Sequence, residues 1–310
     1  MSGEAGEGAA AEGARCGFVA IIGAPNAGKS TLLNALVGAK VAIVSPRVQT
    51  TRTRILGIAT RGASQIVFVD TPGIFQPRRR LDRAMVAAAW RGAEDADHIV
   101  LLADAARRGA PDAETLAIID RLNASGRTAI LALNKVDAMA RDRLLPLSAA
   151  LNAKGRFSRT FMISALSGDG LDALLDHLAA IVPEGPWLYP EDQLTDMPMR
   201  LAAAEATREQ IYHRLWQELP YAATVETESW EEQPDGTVRI RQVIFVERES
   251  QKGIVLGKGG QMIRAIGTGA RAEIEEMLGQ HVFLDLFVKV RGSWGEDPER
   301  YRDWGLDYDV

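Results

Sequence analysis

From residue 18 to residue 182, short apolar runs alternate with stretches whose apolar positions return every three or four residues. Such alternation marks a mostly parallel α/β sheet with crossover helices on both faces. The runs predict strands over 18–22, 55–60, 65–69, 99–103, 128–133 and 160–163. Only Arg61 to Ser64 separate the second run from the third. That is too short for a crossover helix, so this pair is expected as an antiparallel hairpin on the sheet edge.

The pattern changes after residue 182. Residues 183–198 hold four prolines and few aliphatics, which predicts an ordered linker with no helix. Beyond it the periodicity gives a helix over 200–219, a strand over 223–230, a turn at Pro234, Asp235 and Gly236, and a strand over 238–248. A short helix, a glycine cluster at 257–260, a longer helix to 278 and a strand over 282–290 follow. This is a smaller α+β unit. Residues 1–16, rich in alanine, glycine and glutamate, are expected to be a disordered tail. The expected divisions are a first domain over 17–182, a linker over 183–199, a second domain over 200–292 and an acidic extension over 293–310.

A length of 310 residues, 46% hydrophobic and 25% charged, suits two compact cores. The lone Cys16 has no disulfide partner and fits a reducing compartment such as a cytoplasm. The tail lacks the basic start and apolar run of a secretory signal. Every apolar stretch is interrupted well short of the roughly 20 residues needed to span a bilayer. No transmembrane segment is expected, while peripheral contact with a membrane stays open. A net charge of -5 argues against indiscriminate coating of nucleic acid, so any RNA binding must be local.

Gly23-Ala24-Pro25-Asn26-Ala27-Gly28-Lys29-Ser30 follows the first predicted strand and opens a helical pattern, the context that a P-loop requires. Backbone N–H groups can turn inward around phosphates there, and the helix N-terminus that continues through Thr31 adds its positive dipole end. Lys29 is expected to reach the β and γ phosphates, and the Ser30 hydroxyl to bind Mg²⁺. Asp70-Thr71-Pro72-Gly73 leaves the third predicted strand, so that Asp70 can hold the metal through water and the Gly73 N–H can meet the γ-phosphate. Asn134-Lys135-Val136-Asp137 ends the fifth, at the carboxyl edge where open sheets bind ligands. Asp137 can accept from guanine N1–H and its amino group, whereas adenine would present an acceptor. Ser164-Ala165-Leu166 supplies a backbone N–H for guanine O6. The joint occurrence of these anchors favours GTP over ATP, which is the GTPase superfamily pattern.

Between the first two anchors, residues 45–52 form a polar loop similar to a switch I segment, in which Thr51, in preference to Thr50, closes onto Mg²⁺ when γ-phosphate is present. Lys29, Thr51 and Gly73 are thus the expected catalytic groups. Ile74 occupies the place where Ras-like proteins put a water-orienting glutamine. Slow unaided turnover follows, and Asn26 suggests a remedy, because relatives with Gly-x-Pro-Asn-x-Gly-Lys-Ser can recruit K⁺ near the leaving group. Ile74 also motivates a competing reading, an RNA-binding scaffold whose nucleotide is a structural ligand.

In the second domain, Ile254 to Ile263 place a Gly-x-x-Gly loop, Gly257-Lys258-Gly259-Gly260, between an apolar helix end and an apolar helix start. This matches a KH core, whose loop amides clamp about four nucleotides of single-stranded RNA. The order helix, strand, strand, helix, helix, strand is that of type II KH domains. Residues 200–310 carry 14 Lys and Arg against 20 Asp and Glu, a net -6. Across 248–271, however, Arg248, Lys252, Lys258, Arg264 and Arg271 face only Glu249, a local +4, as directed RNA binding requires. The four histidines show no metal-ligand spacing, the scattered tryptophans read as core, and Arg78-Arg79-Arg80 as a solvated charge run.

GAPNAGKS, QTTR, DTPG, NKVD, PEGPWLYPEDQLTD and VERESQKGIVLGKGG together resemble the Era family of ribosome-assembly GTPases, from residue 17 to residue 292. The resemblance implies GTP/GDP and Mg²⁺ as ligands, and a monomer that binds small-subunit (16S) ribosomal RNA near its 3′ end during 30S subunit maturation. It also implies a cytoplasmic protein with peripheral contact at the inner membrane. The tail before Cys16 and the end after Gly295 depart from the family pattern.

Overall fold

The computed structural model describes residues 13–45, 51–52, 55–77, 79–107, 111–216, 219–292, 294 and 297–310. The chain divides into two compact units, one of residues 1–41, 54–75 and 88–196, the other of residues 42–53, 76–87 and 197–310.

The first unit holds a six-stranded sheet of order β2-β3-β1-β4-β5-β6. Its strands are β1 (Arg15–Gly23), β2 (Ile55–Arg61), β3 (Ser64–Asp70), β4 (His98–Asp104), β5 (Ala129–Asn134) and β6 (Phe157–Met162). Only the β2/β3 pair is antiparallel, as the four-residue spacing requires. The helices are α1 (Lys29–Val37), α3 (Ala113–Ala124), α4 (Arg141–Asn152), α5 (Leu171–Ile181) and the later part of α2 (Arg80–Asp95), whose residues 80–87 belong to the second unit. Ile21, Leu33, Phe68, Leu101 and Leu131 are fully buried. This follows from near-continuous apolar strands covered on both faces.

The proline-rich stretch expected as a linker is a strap along the hairpin. Ile58 N donates to Leu194 O (2.9 Å), Thr195 Oγ1 to Leu56 O (2.7 Å), and Gly57 forms an isolated bridge with Thr195. Fully buried Gln65 accepts from the amides of Leu188 (2.9 Å) and Tyr189 (3.1 Å) and donates to Tyr189 O (2.8 Å). The strap therefore satisfies part of an edge that would otherwise be open to pairing. Gln65→Ala should lower the stability of this unit by about 1–2 kcal/mol, because it removes the partner of three part-buried backbone groups. A denaturation midpoint unchanged from wild type would show that water replaces the side chain.

The second unit contains α6 (Met199–Arg214), β7 (Ala223–Glu232), β8 (Val238–Val246), α7 (Glu249–Leu256), α8 (Gln261–Leu278), β9 (Val282–Val290) and a short α9 (Pro298–Asp303). Its sheet order is β7-β8-β9, with β7/β8 antiparallel and β8/β9 parallel. One face packs on the helices through Ile240, Ile244, Ile266 and Ile274, all fully buried. Helix α6 stops five residues earlier than its periodicity suggests. Leu215 takes an extended conformation that sends its side chain into this core, where it is 1% exposed.

Trp294 and residues of 297–310 are packed, contrary to the weak sequence pattern of this acidic end. Trp294, Trp304 and Leu81 cover Val243 and Phe245 on part of the opposite sheet face, and Trp294 Nε1 donates to Ala222 O (3.0 Å). Arg80, read as part of a solvated run, stacks on Tyr308 at 4.4 Å and donates to its carbonyl at 3.2 Å. Arg78 lies outside the described residues.

Candidate functional site

The P-loop begins where β1 ends. Gly28 caps α1 with φ 98°, and a Cβ there would lie 2.5 Å from Asn134 Nδ2. Only glycine meets both demands, the left-handed backbone and the close approach. Asn26 also holds a left-handed conformation, φ 62°, and Ala27 is buried. Lys29 is buried at the start of α1, donating to the carbonyls of Gly23 (3.2 Å) and Ala24 (3.1 Å). Ser30 Oγ donates to Asp70 Oδ2 at 2.9 Å, and the Asp70 side chain is fully buried. Thr31 is half-buried in the same turn. The hydroxyl and carboxylate form a hard oxygen donor set that fits Mg²⁺. Gly73 N–H lies on the segment leaving β3, which is pinned where Ile74 N donates to Gly23 O (3.2 Å). Ile74 itself is buried, 8% exposed, and offers no hydrogen bond to water from its side chain.

Burial pushes Lys29 down to about 8, with the Asp70 carboxylate opposing the shift. The sign follows from linkage: between about 8 and the usual lysine value near 10.4 the unfolded chain binds the extra proton, so stability rises with pH across that window. A phosphate anion favours the charged ammonium and reverses the trend for binding. Nucleotide binding at pH 8.5 should therefore take up protons, measurable by titration calorimetry in buffers of differing ionisation enthalpy. Zero uptake would mean that Lys29 is already fully charged before binding.

The base side is assembled by Asn134, 2% exposed at the end of β5. Its Nδ2 donates to Ala27 O (2.8 Å) and its Oδ1 accepts from Ala165 N (2.9 Å), joining the P-loop to the loop after β6. Of the three amides in Ser164-Ala165-Leu166, that of Ala165 is thus already donated within the protein. Ser164 is fully buried, with its hydroxyl accepting from Ser167 N (3.1 Å), while Leu166 is 84% exposed. Lys135, left-handed at φ 65°, donates to Asn26 O (2.8 Å) and pairs with Asp104 Oδ2 (2.7 Å). Asp104, at the end of β4, carries no motif that sequence reasoning could have singled out. Asp137 is exposed in a single 3-10 turn over Val136–Ala138.

Apart from Thr51, these residues share the first unit. Thr51 is buried and belongs to the second, as does Arg52, which donates to the carbonyls of Ala223 (2.9 Å), Tyr221 (3.2 Å) and Pro220 (3.3 Å). Residues 46–50, with Thr50, lie outside the described residues.

In the second unit, α7 ends at Gly257, whose φ of 70° and whose closeness to Met262 (a Cβ would stand 2.7 Å from Met262 Cβ) set a sharp turn. Lys258 and Gly259 are exposed at its tip, and Gly260 caps α8 with φ 76°. A groove of about 490 Å³ runs from this loop between α8 and edge strand β9, lined among others by Gly260, Ile263, Arg264, Gly267, Phe283 and Leu286. Arg264 is exposed beside it, as is Ile254 at the end of α7. Arg248 caps the start of α7, and Lys252 lies half-buried one turn on. Among the described residues, no group of three or more His, Cys, Asp or Glu could hold a metal ion.

A sheet edge that gathers the P-loop, the segment after β3 and the loops after β5 and β6, followed by a type II KH order, defines a P-loop GTPase with a KH module. The family model for 50S ribosome-binding GTPases matches residues 18–135, and that for the KH domain matches residues 218–295. The chain is 63% identical over 294 residues to GTPase Era of Rhizobium meliloti (strain 1021), covering 95% of this chain and 93% of that protein. To GTPase Era of Sinorhizobium medicae (strain WSM419) it is 61% identical, covering 97% and 96%. The chain belongs to the Era family of GTPases. Its fold is similar to a crystal structure of Era in complex with MgGDPNP and nucleotides 1506–1542 of 16S ribosomal RNA, with TM-score 0.89, 37% identity, and coverage of 96% of this chain and 100% of that one. Aquifex aeolicus Era Y63A bound to GDP.AlF4- gives TM-score 0.88 at 38% identity, with the same coverage.

Proposed function

We propose that this protein binds GTP with Mg²⁺, hydrolyses it slowly to GDP, and uses the nucleotide state to govern binding of small-subunit ribosomal RNA near its 3′ end during 30S maturation. The observation that carries this reading is the double hydrogen bond of Asn134, which joins the phosphate loop to the base loop at one edge of the sheet. Lys29 neutralises β and γ oxygens, the Gly73 amide meets the γ-phosphate, and Asp137 selects guanine. Ser30 and Asp70 would hold the metal, which supplies positive charge against the phosphate oxygens when bound. Asn26, exposed on its left-handed backbone, is the group we assign to K⁺. The Gly257–Gly260 loop and the groove along α8 hold single-stranded RNA, with Lys258, Arg264, Arg248 and Lys252 supplying positive charge.

The protein works as a monomer, and the unpaired thiol of Cys16, whose ionisation burial makes harder, suits a cytoplasmic setting. The buried Ile74 favours one competing reading, a scaffold with incidental hydrolysis. Multiple-turnover GTPase measurements in K⁺ or Na⁺ buffer, with and without the 1506–1542 RNA, separate the two. Turnover raised by RNA is expected. Turnover indifferent to RNA would leave the scaffold standing, and equal rates in K⁺ and Na⁺ would remove the role given to Asn26.

A further inference from the structure

The alternation along β9 places Phe283 and Phe287 on the sheet face turned away from α8, where they are 63% and 46% exposed. The neighbouring core does not need them, since Val282, Leu284, Leu286 and Val288 supply the face packed on the helices. We propose that these two rings form a stacking platform for single-stranded RNA that leaves the groove and turns over the edge of the sheet. The proposal rests on the reading of the groove as an RNA site, and extends it onto a second surface.

Three observations carry the proposal. Phe283 borders the groove, together with Arg264 and Arg271, so groove and platform meet along β9 at that residue. The Arg241 guanidinium lies over the Phe287 ring at 5.3 Å, a flat cationic surface of the kind on which bases stack. Two carboxylates on this face are taken up by cations, Asp285 by Arg239 (3.1 Å) and Glu228 by Lys289 (2.6 Å), while Glu231, opposite Arg239 on β7 and away from the rings, is exposed. A phosphate backbone therefore meets compensated acids and the positive charge of Arg241.

The geometry favours RNA over an apolar protein partner. Residues four apart on one strand stand about 13 Å from each other, and the Arg239–Asp285 ion pair lies between the two rings. Two separated rings do not make the contiguous apolar patch that marks a protein interface. Stacking needs no such patch, because each base addresses one ring.

The test uses the full chain with RNA of 16S nucleotides 1506–1542 as probe, measuring affinity and the length protected from hydroxyl-radical cleavage. Phe283→Leu with Phe287→Leu keeps apolar area and removes the π faces. It should weaken binding at least about tenfold and shorten the protected run at one end. Phe283→Trp with Phe287→Trp should restore both. Unchanged affinity and footprint in the leucine pair would overturn the platform and leave this face to a protein. Wild-type protein that fails to bind the probe would instead overturn the groove reading on which the platform rests, before any variant is made.

Discussion

Asp137→Asn is expected to turn the protein from GTP toward xanthosine triphosphate. On the proposed base contact the carboxylate accepts two hydrogen bonds from the guanine edge, while an amide would present a donor that clashes with the guanine amino group and matches the xanthine carbonyl at the same place. Mismatches of this type leave buried polar groups unpaired and can lower affinity by about 10⁴. The exchange should not disturb the fold. Asp137 is exposed, and its turn is held by backbone bonds, Val136 N to Ile163 O (3.3 Å) and Ala138 N to Lys135 O (3.0 Å). Competition binding of GTP, ATP and xanthosine triphosphate checks the result, and undiminished GTP affinity in the variant would refute the base contact.

Lys258→Glu combined with Gly259→Asp should abolish RNA binding while leaving GTP affinity intact. The substitutions reverse the charge at the tip of the loop that must approach phosphates, where counterion release and direct attraction supply much of the affinity. Space is not the issue: a Cβ at Gly259 meets nothing within 4 Å, and aspartate is among the side chains that tolerate its φ of 60°. Filter binding or fluorescence anisotropy with the 1506–1542 RNA reads the first effect, and nucleotide titration the second. RNA affinity that survives the double exchange would move the site away from this loop. Gly257 is unsuited to such a test, because a side chain there collides with Met262 and would damage the turn itself.

Much of this protein could be read before any coordinates, for identifiable reasons. The strand runs of the first unit are short, apolar and separated by helical periods, and each begins or ends within a few residues of its expected place. The antiparallel hairpin followed from the four-residue connection alone. The P-loop and the Asn134 to Asp137 motif are legible because phosphate and guanine impose residue types at fixed spacing. The glycine loop of the second unit was weaker by itself, and local charge raised it.

Tertiary packing decided the rest. Asp104 steadies Lys135 across 31 residues, and no local pattern announces such a pair. Residues 183–198 read as an ordered linker by composition, and the partners that order them, on β2 and Gln65, are ones only the folded edge can offer. The packing of the acidic end was not legible because Trp294, just before it, and Trp304 and Tyr308 within it are spaced for no single helix or strand. Their partners, Phe245, Leu81 and Arg80, lie far away in the chain. Local sequence determines which chemistry each loop can perform, since that depends on side-chain type and spacing. Which distant groups complete the loop depends on surfaces that exist only after the chain has packed.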